Sequence, residues 1–275
     1  MPTTAVSVPG GSLHVVDEGS GPPILLIHAG VADLRAWDDV VPHLTRAGHR
    51  VIRYDVRGFG QSTTEDVEFS HQADLRAVLD AAGVRKAALV GNSKGGSIAY
   101  DTAIESPDRV VAVVGVAGGL GGFDGGETPA EVPVREAYEA IDSAEPFDAE
   151  ALTEFEVRVW MSGPLQPLER TSPRLRARLF EMDLPLNQPS HVGGRQVRLE
   201  PPASDRLAEL RCPVLAIAGT LDFSDCVVTA RHLETSAPNA RALIWDDVAH
   251  MIGMEQPERL ANAVVEFVAP LRPWS

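Results

Sequence analysis

A serine flanked by glycines is the residue of this sequence best suited to nucleophilic chemistry. Ser93 is the central residue of a G-x-S-x-G pentapeptide, residues 91–95. The aliphatic run 87–90 before it predicts a strand, and residues 95–104 after it predict a helix that begins with small residues. A nucleophile at a sharp strand-to-helix turn requires small residues two positions away on each side, because the backbone is crowded there. We therefore interpret Ser93 as a nucleophile; the alternative is a glycine-rich turn with an uninvolved serine.

A serine hydroxyl needs a base within hydrogen-bond reach, and that base is usually held by a carboxylate. Of the eight histidines, His250 is one candidate, since it follows the strand-like run 241–245 in a loop before the last predicted helix. The other interpretation of His250 is a surface or helix-capping histidine. Asp222 follows the apolar run 213–218 through a Gly-Thr-Leu turn. Its competitors for the role of orienting acid are Asp225, Asp246 and Asp247.

The elements that would position these residues alternate between short apolar runs and helical patterns, which indicates parallel strands joined by crossover helices. The predicted strands are 12–16, 23–27, 50–55, 87–91, 110–116, 213–218 and 241–245. Helical spacing is found from Leu34 to Leu44, before Gly83, and from about Glu255. Between 119 and 205 the pattern predicts helices at 151–161 and 173–182 and no strand.

These elements predict an α/β fold with a mostly parallel central sheet flanked by helices and a mainly helical cap insert. The predicted organisation is a core in two parts, residues 1–118 and 206–275, with the cap at 119–205.

The order of strand, G-x-S-x-G turn, helix, insert, Gly219-Thr-Leu-Asp222 and Ala249-His250 resembles the α/β-hydrolase fold family. The resemblance is greatest to its serine hydrolase branch of esterases, enol-lactonases and cofactor-free haloperoxidase-like proteins. The segments 26–30, 55–62 and 250–260 also match this family. The resemblance implies Ser93 as nucleophile, His250 as base and Asp222 as orienting acid.

Further site residues follow from the same resemblance. It implies an oxyanion hole formed by the backbone amide of Lys94 and by that of Gly30 or Val31, although Ala29 stands where this family usually has glycine. The Lys94 side chain either attracts an anionic substrate or turns to solvent. The predicted substrate-binding residues are Val31, Trp37, Trp160 and His191, although tryptophans at helical spacing are also typical of packing. His28 is expected to support its loop, and solvent exposure is expected for His14, His43, His49, His71 and His232.

These residues predict hydrolysis of a small carboxylic ester or lactone through an acyl-enzyme on Ser93. A serine nucleophile separates the chain from the family's dehalogenases and epoxide hydrolases, in which an aspartate occupies this position. One alternative is a non-hydrolytic or C–C-bond-cleaving reaction on the same triad, which ranks lower because Met251 follows His250 where the C–C hydrolases have tryptophan. A ligand-binding receptor with little turnover is the other alternative, and the complete triad argues against it.

Composition excludes several other classes of protein. The chain has 275 residues, 44% apolar and 23% charged, and a net charge of −15, which opposes binding to nucleic acid. Cys212 and Cys226 form no CxxC pattern and are expected to be incidental thiols of a reduced, cytoplasmic protein. Neither a signal peptide nor an apolar run of about 20 residues is apparent, so no membrane contact is predicted. No metal or dinucleotide pattern is present, so neither metal nor cofactor is predicted. The expected partner is the small ester or lactone substrate, and the oligomeric state stays open.

Overall fold

The computed structural model describes residues 3–271, which fold around a mostly parallel nine-stranded sheet. The strands in chain order are β1 (Thr3–Val8), β2 (Gly11–Gly19), β3 (Pro23–Ile27), β4 (Arg50–Tyr54), β5 (Thr63–Thr64), β6 (Glu68–Phe69), β7 (Ala87–Asn92), β8 (Val110–Val116), β9 (Arg195–Gln196), β10 (Val214–Gly219) and β11 (Ala240–Trp245). The large sheet has the order β1-β2-β4-β3-β7-β8-β10-β11, with β5 paired to β2. Strands β6 and β9 form a small sheet of their own. Residues 1–2 and 272–275, which the predicted core ranges include, lie outside the described residues.

Helices cover the large sheet and fill the segment between β8 and β10. They are α1 (Val41–Arg46), α2 (His71–Ala81), α3 (Lys94–Glu105), α4 (Val132–Asp142), α5 (Ala149–Val157), α6 (Pro173–Asp183), α7 (Ser224–Ser236), α8 (Ile252–Glu255) and α9 (Pro257–Val268). A π-helical turn, Arg158–Ser162, continues α5. Each helix of the described residues is too short or too polar to cross a membrane.

The core lies on both faces of the sheet because successive residues of a strand point to opposite sides. Leu25 and Ile27 of β3 belong to the cluster on one face, whereas Ile24 and Leu26 belong to the cluster on the other. All four side chains are fully buried, as expected for parallel strands that are covered by helices on both faces. The predicted α/β fold class is confirmed.

Several local predictions differ from the structure. The single helix predicted across Leu34 to Leu44 is a 3-10 turn (Leu34–Trp37) followed by α1, in which Pro42 stands in the first turn where no amide donor is needed. Strand β1 was not predicted, because only Val6 among its side chains is buried and the run has no apolar pattern. The prediction of no strand between 119 and 205 is wrong for the two residues of β9.

The segment 117–213 lies outside the large sheet and packs over the carboxyl ends of its strands. Strands β8 and β10 are parallel neighbours, so the chain leaves the sheet after β8 and returns beside it. An apolar cluster joins this segment to the core, with Met161 and Leu179 on one side and Ala29 and Met251 on the other. The segment therefore stands where it can cover a site at the end of β7.

Candidate active site

Ser93 occupies the sharp turn between β7 and α3 in a strained backbone conformation. Its φ and ψ are 53° and −114°, and a positive φ costs a non-glycine residue about 1–3 kcal/mol. Backbone hydrogen bonds hold the turn: the Ser93 amide donates to the Val116 carbonyl at 2.9 Å, and the Ser93 carbonyl accepts from the Gly96 amide at 2.8 Å. The surrounding sheet and helix thus fix the serine at the strand end.

The two glycines of the pentapeptide are required by close contacts. A Cβ atom at Gly91 would collide with the Gly95 carbonyl oxygen, and one at Gly95 would collide with the Ile27 carbonyl oxygen. These contacts bring the end of β7, the start of α3 and the end of β3 together. The crowding explains the small residues from which the sequence predicted the turn.

His250 and Asp222 form a buried hydrogen-bonded pair. His250 Nδ1 lies 2.7 Å from Asp222 Oδ2, and the Phe223 amide donates to Asp222 Oδ1 at 2.8 Å. The two side chains are 5% and 0% exposed. Since a carboxylate only accepts hydrogen bonds, the neutral imidazole carries its proton on Nδ1, which leaves Nε2 free to accept one. The arrangement has the geometry of a general base with its orienting acid.

The loop of His250 is held by hydrogen bonds from Asn92 and to Glu255, which were not predicted from the sequence. The Asn92 side-chain amide donates to the Val116 carbonyl at 2.9 Å and to the His250 carbonyl at 3.3 Å. The Ala249 amide donates to Glu255 Oε1 at 2.8 Å. A polar residue at the end of a buried apolar strand was the signal that could have singled out Asn92.

Ser93 and His250 line one cavity of about 570 Å³. Its surface is mostly apolar and includes the aromatic rings of Trp160, Phe223 and Tyr138, with charged side chains such as Arg135 and Glu127 also among the lining residues. Trp160 lies on the π-helical turn. The centre of its ring is 4.5 Å from the centre of the His250 ring and 5.2 Å from that of the Phe223 ring. An aromatic cavity beside a hydroxyl and an imidazole suits a small apolar ligand with one polar centre.

Cys226 also lines this cavity, and its position was not foreseen. Its Sγ lies 3.9 Å from His250 Nδ1. Burial and the carboxylates of Asp222 and Asp225 raise the pKa of the Cys226 thiol well above its usual range. The thiol therefore stays protonated and is no competitor of Ser93 as nucleophile. Asp222, Cys226 and His250 offer metal-ligating atoms within 4.8 Å of one another, but the Asp222–His250 hydrogen bond already occupies two of them.

The loop after β3 is held by a buried histidine. The His28 Nδ1 proton is donated to the Ala29 carbonyl at 2.7 Å, and Nε2 accepts from the Val56 amide at 2.8 Å. Burial lowers the pKa of His28 to about 4, so the ring is neutral and supports the loop. A Cβ atom added at Gly30 would lie 3.7 Å from Cδ of Lys94, which places this loop against the start of α3. As the first residue of α3, Lys94 has a backbone amide without an intrahelical acceptor.

The other predicted contact residues lie in different surroundings. Val31 packs against the cluster of Met161 and Met251. Trp37 is 2% exposed, packs beside Gly253 in the core, and is not among the described residues that line the Ser93 cavity. The His191 ring lies 6.4 Å from the Phe59 ring, outside that cavity.

The prediction that five histidines are solvent-exposed is wrong for His49 and His71, which are 0% and 2% exposed. Each stands near the start of a strand or helix whose apolar face is buried, and the sequence pattern assigned both to solvent.

Comparison with known proteins gives a consistent result. A family model described as alpha/beta hydrolase fold matches residues 22–257. A rhodomycin D methylesterase of Streptomyces sp. strain C5 is 31% identical, over 88% of this chain and 89% of its own. A 2-hydroxy-6-oxononadienedioate/2-hydroxy-6-oxononatrienedioate hydrolase of Burkholderia vietnamiensis is 28% identical, over 93% of this chain and 90% of its own. The solved structure of an esterase from Rhodococcus sp. ECU1013 superposes with a TM-score of 0.79 at 27% identity, covering 98% of this chain and all of that one.

Proposed function

The chain belongs to the α/β-hydrolase fold family, and from that premise we propose that it cleaves a small carboxylic ester or lactone through an acyl-enzyme on Ser93. The observation that carries this proposal is the buried Asp222–His250 hydrogen bond beside a cavity that Ser93 also lines. Relatives named as a methylesterase and an esterase support the ester as substrate class.

The proposed reaction has two halves. The Ser93 hydroxyl attacks the ester carbonyl while His250 Nε2 takes its proton, and the backbone amides of Lys94 and Gly30 stabilise the oxyanion. His250 then donates that proton to the leaving alcohol, and the acyl group stays on Ser93. Water attacks the acyl-enzyme, with His250 again as base, and the acid product leaves as the serine is regenerated. Asp222 keeps the imidazole in the required tautomer and stabilises the imidazolium.

We also propose that residues 119–205 act as a cap that shapes the acyl and alcohol sites. Trp160, Tyr138 and Phe155 come from this segment and line the cavity opposite Ser93. Most of the apolar wall that would select a substrate therefore comes from the insert. Val31 and His191 stay proposed substrate contacts, although neither lines the cavity of Ser93.

Replacement of Ser93 by alanine tests the mechanism. Across a panel of 4-nitrophenyl esters and lactones of increasing chain length, Ser93→Ala is expected to lose at least about three orders of magnitude in kcat, because a triad nucleophile is removed. The matched control is Ser97→Ala, one turn along the same helix, whose hydroxyl donates to the Gly119 carbonyl. A fluorophosphonate should label wild type and Ser97→Ala at Ser93, as shown by intact mass and peptide mapping. Full activity in Ser93→Ala would refute the acyl-enzyme.

A second candidate reaction is hydrolytic cleavage of a C–C bond. The Burkholderia vietnamiensis relative is named for such a substrate, a 2-hydroxy-6-oxo-dienedioate, and matches nearly the full chain. The ester and lactone panel separates the two: rapid turnover of a dienedioate with none of any ester would favour C–C cleavage.

A further inference from the structure

A second cavity, of about 560 Å³, lies beside the start of α3 and is lined by Lys94, the residue after Ser93. Arg198 and His71 line it as well, and Asp101 and Glu200 supply its carboxylates. From the sequence, the Lys94 side chain either attracts an anionic substrate or turns to solvent. Lys94 is one of only two lysines in the chain, the other being Lys86. The structure places the Lys94 side chain in the lining of this cavity.

The Lys94 ammonium is partly buried, and within the described part of the chain it has no counterion. Its Nζ lies 5.0 Å from the centre of the Phe59 ring, and burial together with the Arg198 guanidinium lowers its pKa. Among residues 3–271, no carboxylate forms an ion pair with Lys94. A cation removed from water without an opposite charge is costly, and a bound anion would relieve that cost.

His71 adds an uncharged donor to the same cavity. It is 2% exposed, and neither ring nitrogen makes a well-formed hydrogen bond within the described part of the chain, although the Gln196 side chain lies close by. Burial and the nearby Lys94 charge lower the pKa of His71 to about 3, so the ring is neutral and keeps one N–H. Buried polar groups of native proteins normally have hydrogen-bond partners. Since the His71 ring lines the cavity, a ligand bound there could accept its N–H.

The charges of the cavity are separated along α3. Asp101 follows Lys94 by seven residues, which corresponds to about 10 Å along a helix axis. Asp101 accepts a hydrogen bond from Gln72 at 3.0 Å, and Glu200 is exposed. The positive end is therefore the end next to Ser93, where the amino terminus of α3 adds its own positive field. Because two cations face two carboxylates overall, the lining suits a singly charged anion better than a phosphate dianion.

We propose that the Lys94 end of this cavity binds a carboxylate of the substrate, so that the preferred substrates are esters or lactones that also carry a carboxylate group. The inference rests on the proposed function, since it assigns the substrate class of the same nucleophile. Lys94 supplies the ammonium, Arg198 a guanidinium at the rim, and His71 a neutral donor at the wall.

Matched substrates test the proposal. The monomethyl ester of glutaric acid and methyl 5-methylhexanoate have the same length and shape, with a carboxylate in the first where the second has an isopropyl group. The wild type is expected to favour the anionic ester in kcat/KM by about tenfold or more, as for a charge-assisted hydrogen bond. In Lys94→Met that ratio should fall by about the same factor, and in Arg198→Met by less. Lys86→Met, at the opposite end of β7, is the matched control and should keep the wild-type ratio.

A binding measurement makes the outcome independent of turnover. Titration calorimetry of the monomethyl ester into Ser93→Ala is expected to show binding that is at least about tenfold weaker when Lys94→Met is added, but not when Lys86→Met is added. Equal ratios in wild type, Lys94→Met and Lys86→Met, or equal affinities in the two double variants, would overturn the carboxylate site. If no ester is hydrolysed while the calorimetric difference persists, the proposed function fails and the carboxylate site stands.

Discussion

Asp222 precedes α7 and Asp225 lies in its first turn, and the two differ completely in their contacts. Asp222 is fully buried and contacts His250 Nδ1, whereas Asp225 lies next to Cys226, and burial and the Asp222 carboxylate raise the pKa of Asp225. The sequence offered both as the orienting acid and favoured Asp222 from its position after β10. Only the structure shows that a carboxylate oxygen of Asp222, and not of Asp225, forms the hydrogen bond with the imidazole.

Substitution of these two aspartates separates their roles. Asp222→Asn is expected to lower kcat by about 10³–10⁴, because an amide that donates to Nδ1 holds the imidazole in the wrong tautomer. Asp225→Asn, the matched control, is expected to change kcat by less than about tenfold. Steady-state kinetics on one ester, with circular dichroism to confirm folding, gives the answer. Equal losses in both variants would contradict the assignment.

The sequence singled out the proposed reacting residues and not the side chains that support them. Ser93, Asp222 and His250 could be found because each follows a predicted strand at a characteristic turn. Asn92 carries only the signal of a polar residue at a strand end, because its contact with the His250 carbonyl joins residues 158 positions apart. Cys226 carries no signal, because its contact with His250 depends on how α7 packs. Contacts of this kind depend on tertiary structure that no local pattern records.

Helices α5 and α6 enclose a pair of carboxyl groups. Glu156 is 8% exposed and Asp183 is 1% exposed, and Asn187 donates to Glu156 at 2.7 Å. Burial, with Glu156 close by, raises the pKa of Asp183 far above its usual range, so this carboxyl stays protonated in the folded protein. Protonation of Asp183 thus allows two carboxyl groups to lie close together between the two helices.

This pair makes stability depend on pH with a definite sign. Above about pH 4 the unfolded chain releases the Asp183 proton while the folded protein keeps it, so the free energy of unfolding falls as the pH rises. Asp183→Asn removes this term. Its Tm relative to wild type is expected to rise between pH 5 and pH 8 by at least ~2 °C, which corresponds to about 1 kcal/mol.

Thermal denaturation in matched buffers measures the difference. Asp142→Asn, an exposed aspartate at the end of α4, is the control and should give a constant difference. A flat difference for Asp183→Asn as well would argue against a protonated Asp183 in the folded protein.

Strand and helix predictions were right where the buried side chains follow one regular pattern along the whole element. The apolar runs of β3 and β8 matched the structure residue for residue, because both faces of these strands are covered. Helix α4 was not predicted. Only Val134 among its side chains is buried, so apolar residues do not recur at helical spacing along it. Strand β9 exists through its pairing with β6, which lies more than a hundred residues earlier.

At the scale of the whole molecule, Arg170 connects the segment over the site to the loop of His250. Its guanidinium lies 2.7 Å from Glu255, which in turn accepts from the Ala249 amide, and it also donates to the Met161 carbonyl at 3.0 Å. The Arg170 and Glu255 side chains are 18% and 7% exposed, whereas those of the surface pair Arg231–Glu234 are 55% and 34% exposed.

A double-mutant cycle measures this connection. Arg170→Met, Glu255→Gln and the double variant are expected to give a coupling energy of about 1–3 kcal/mol in urea denaturation, because one buried charge is left alone in each single variant. The same cycle on Arg231–Glu234 should give no more than ~0.5 kcal/mol, because that pair is solvated. A coupling for Arg170–Glu255 no larger than the surface value would show that the overlying segment is not joined to the core through this pair.

The direct pairing of β8 with β10 has a consequence for how such proteins diversify. The chain departs from the sheet and re-enters it at adjacent positions, so the pairing of β8 with β10 does not depend on the length of the chain between them. Both ends of that segment belong to the core, since Leu120 and Leu207 pack in the same cluster as the sheet and the Gly119 amide donates to the Ser93 carbonyl. Recombination or directed evolution confined to its middle part, helices α4 to α6, is therefore a route to new selectivity with less risk to folding, provided that Arg170 or an equivalent still reaches Glu255.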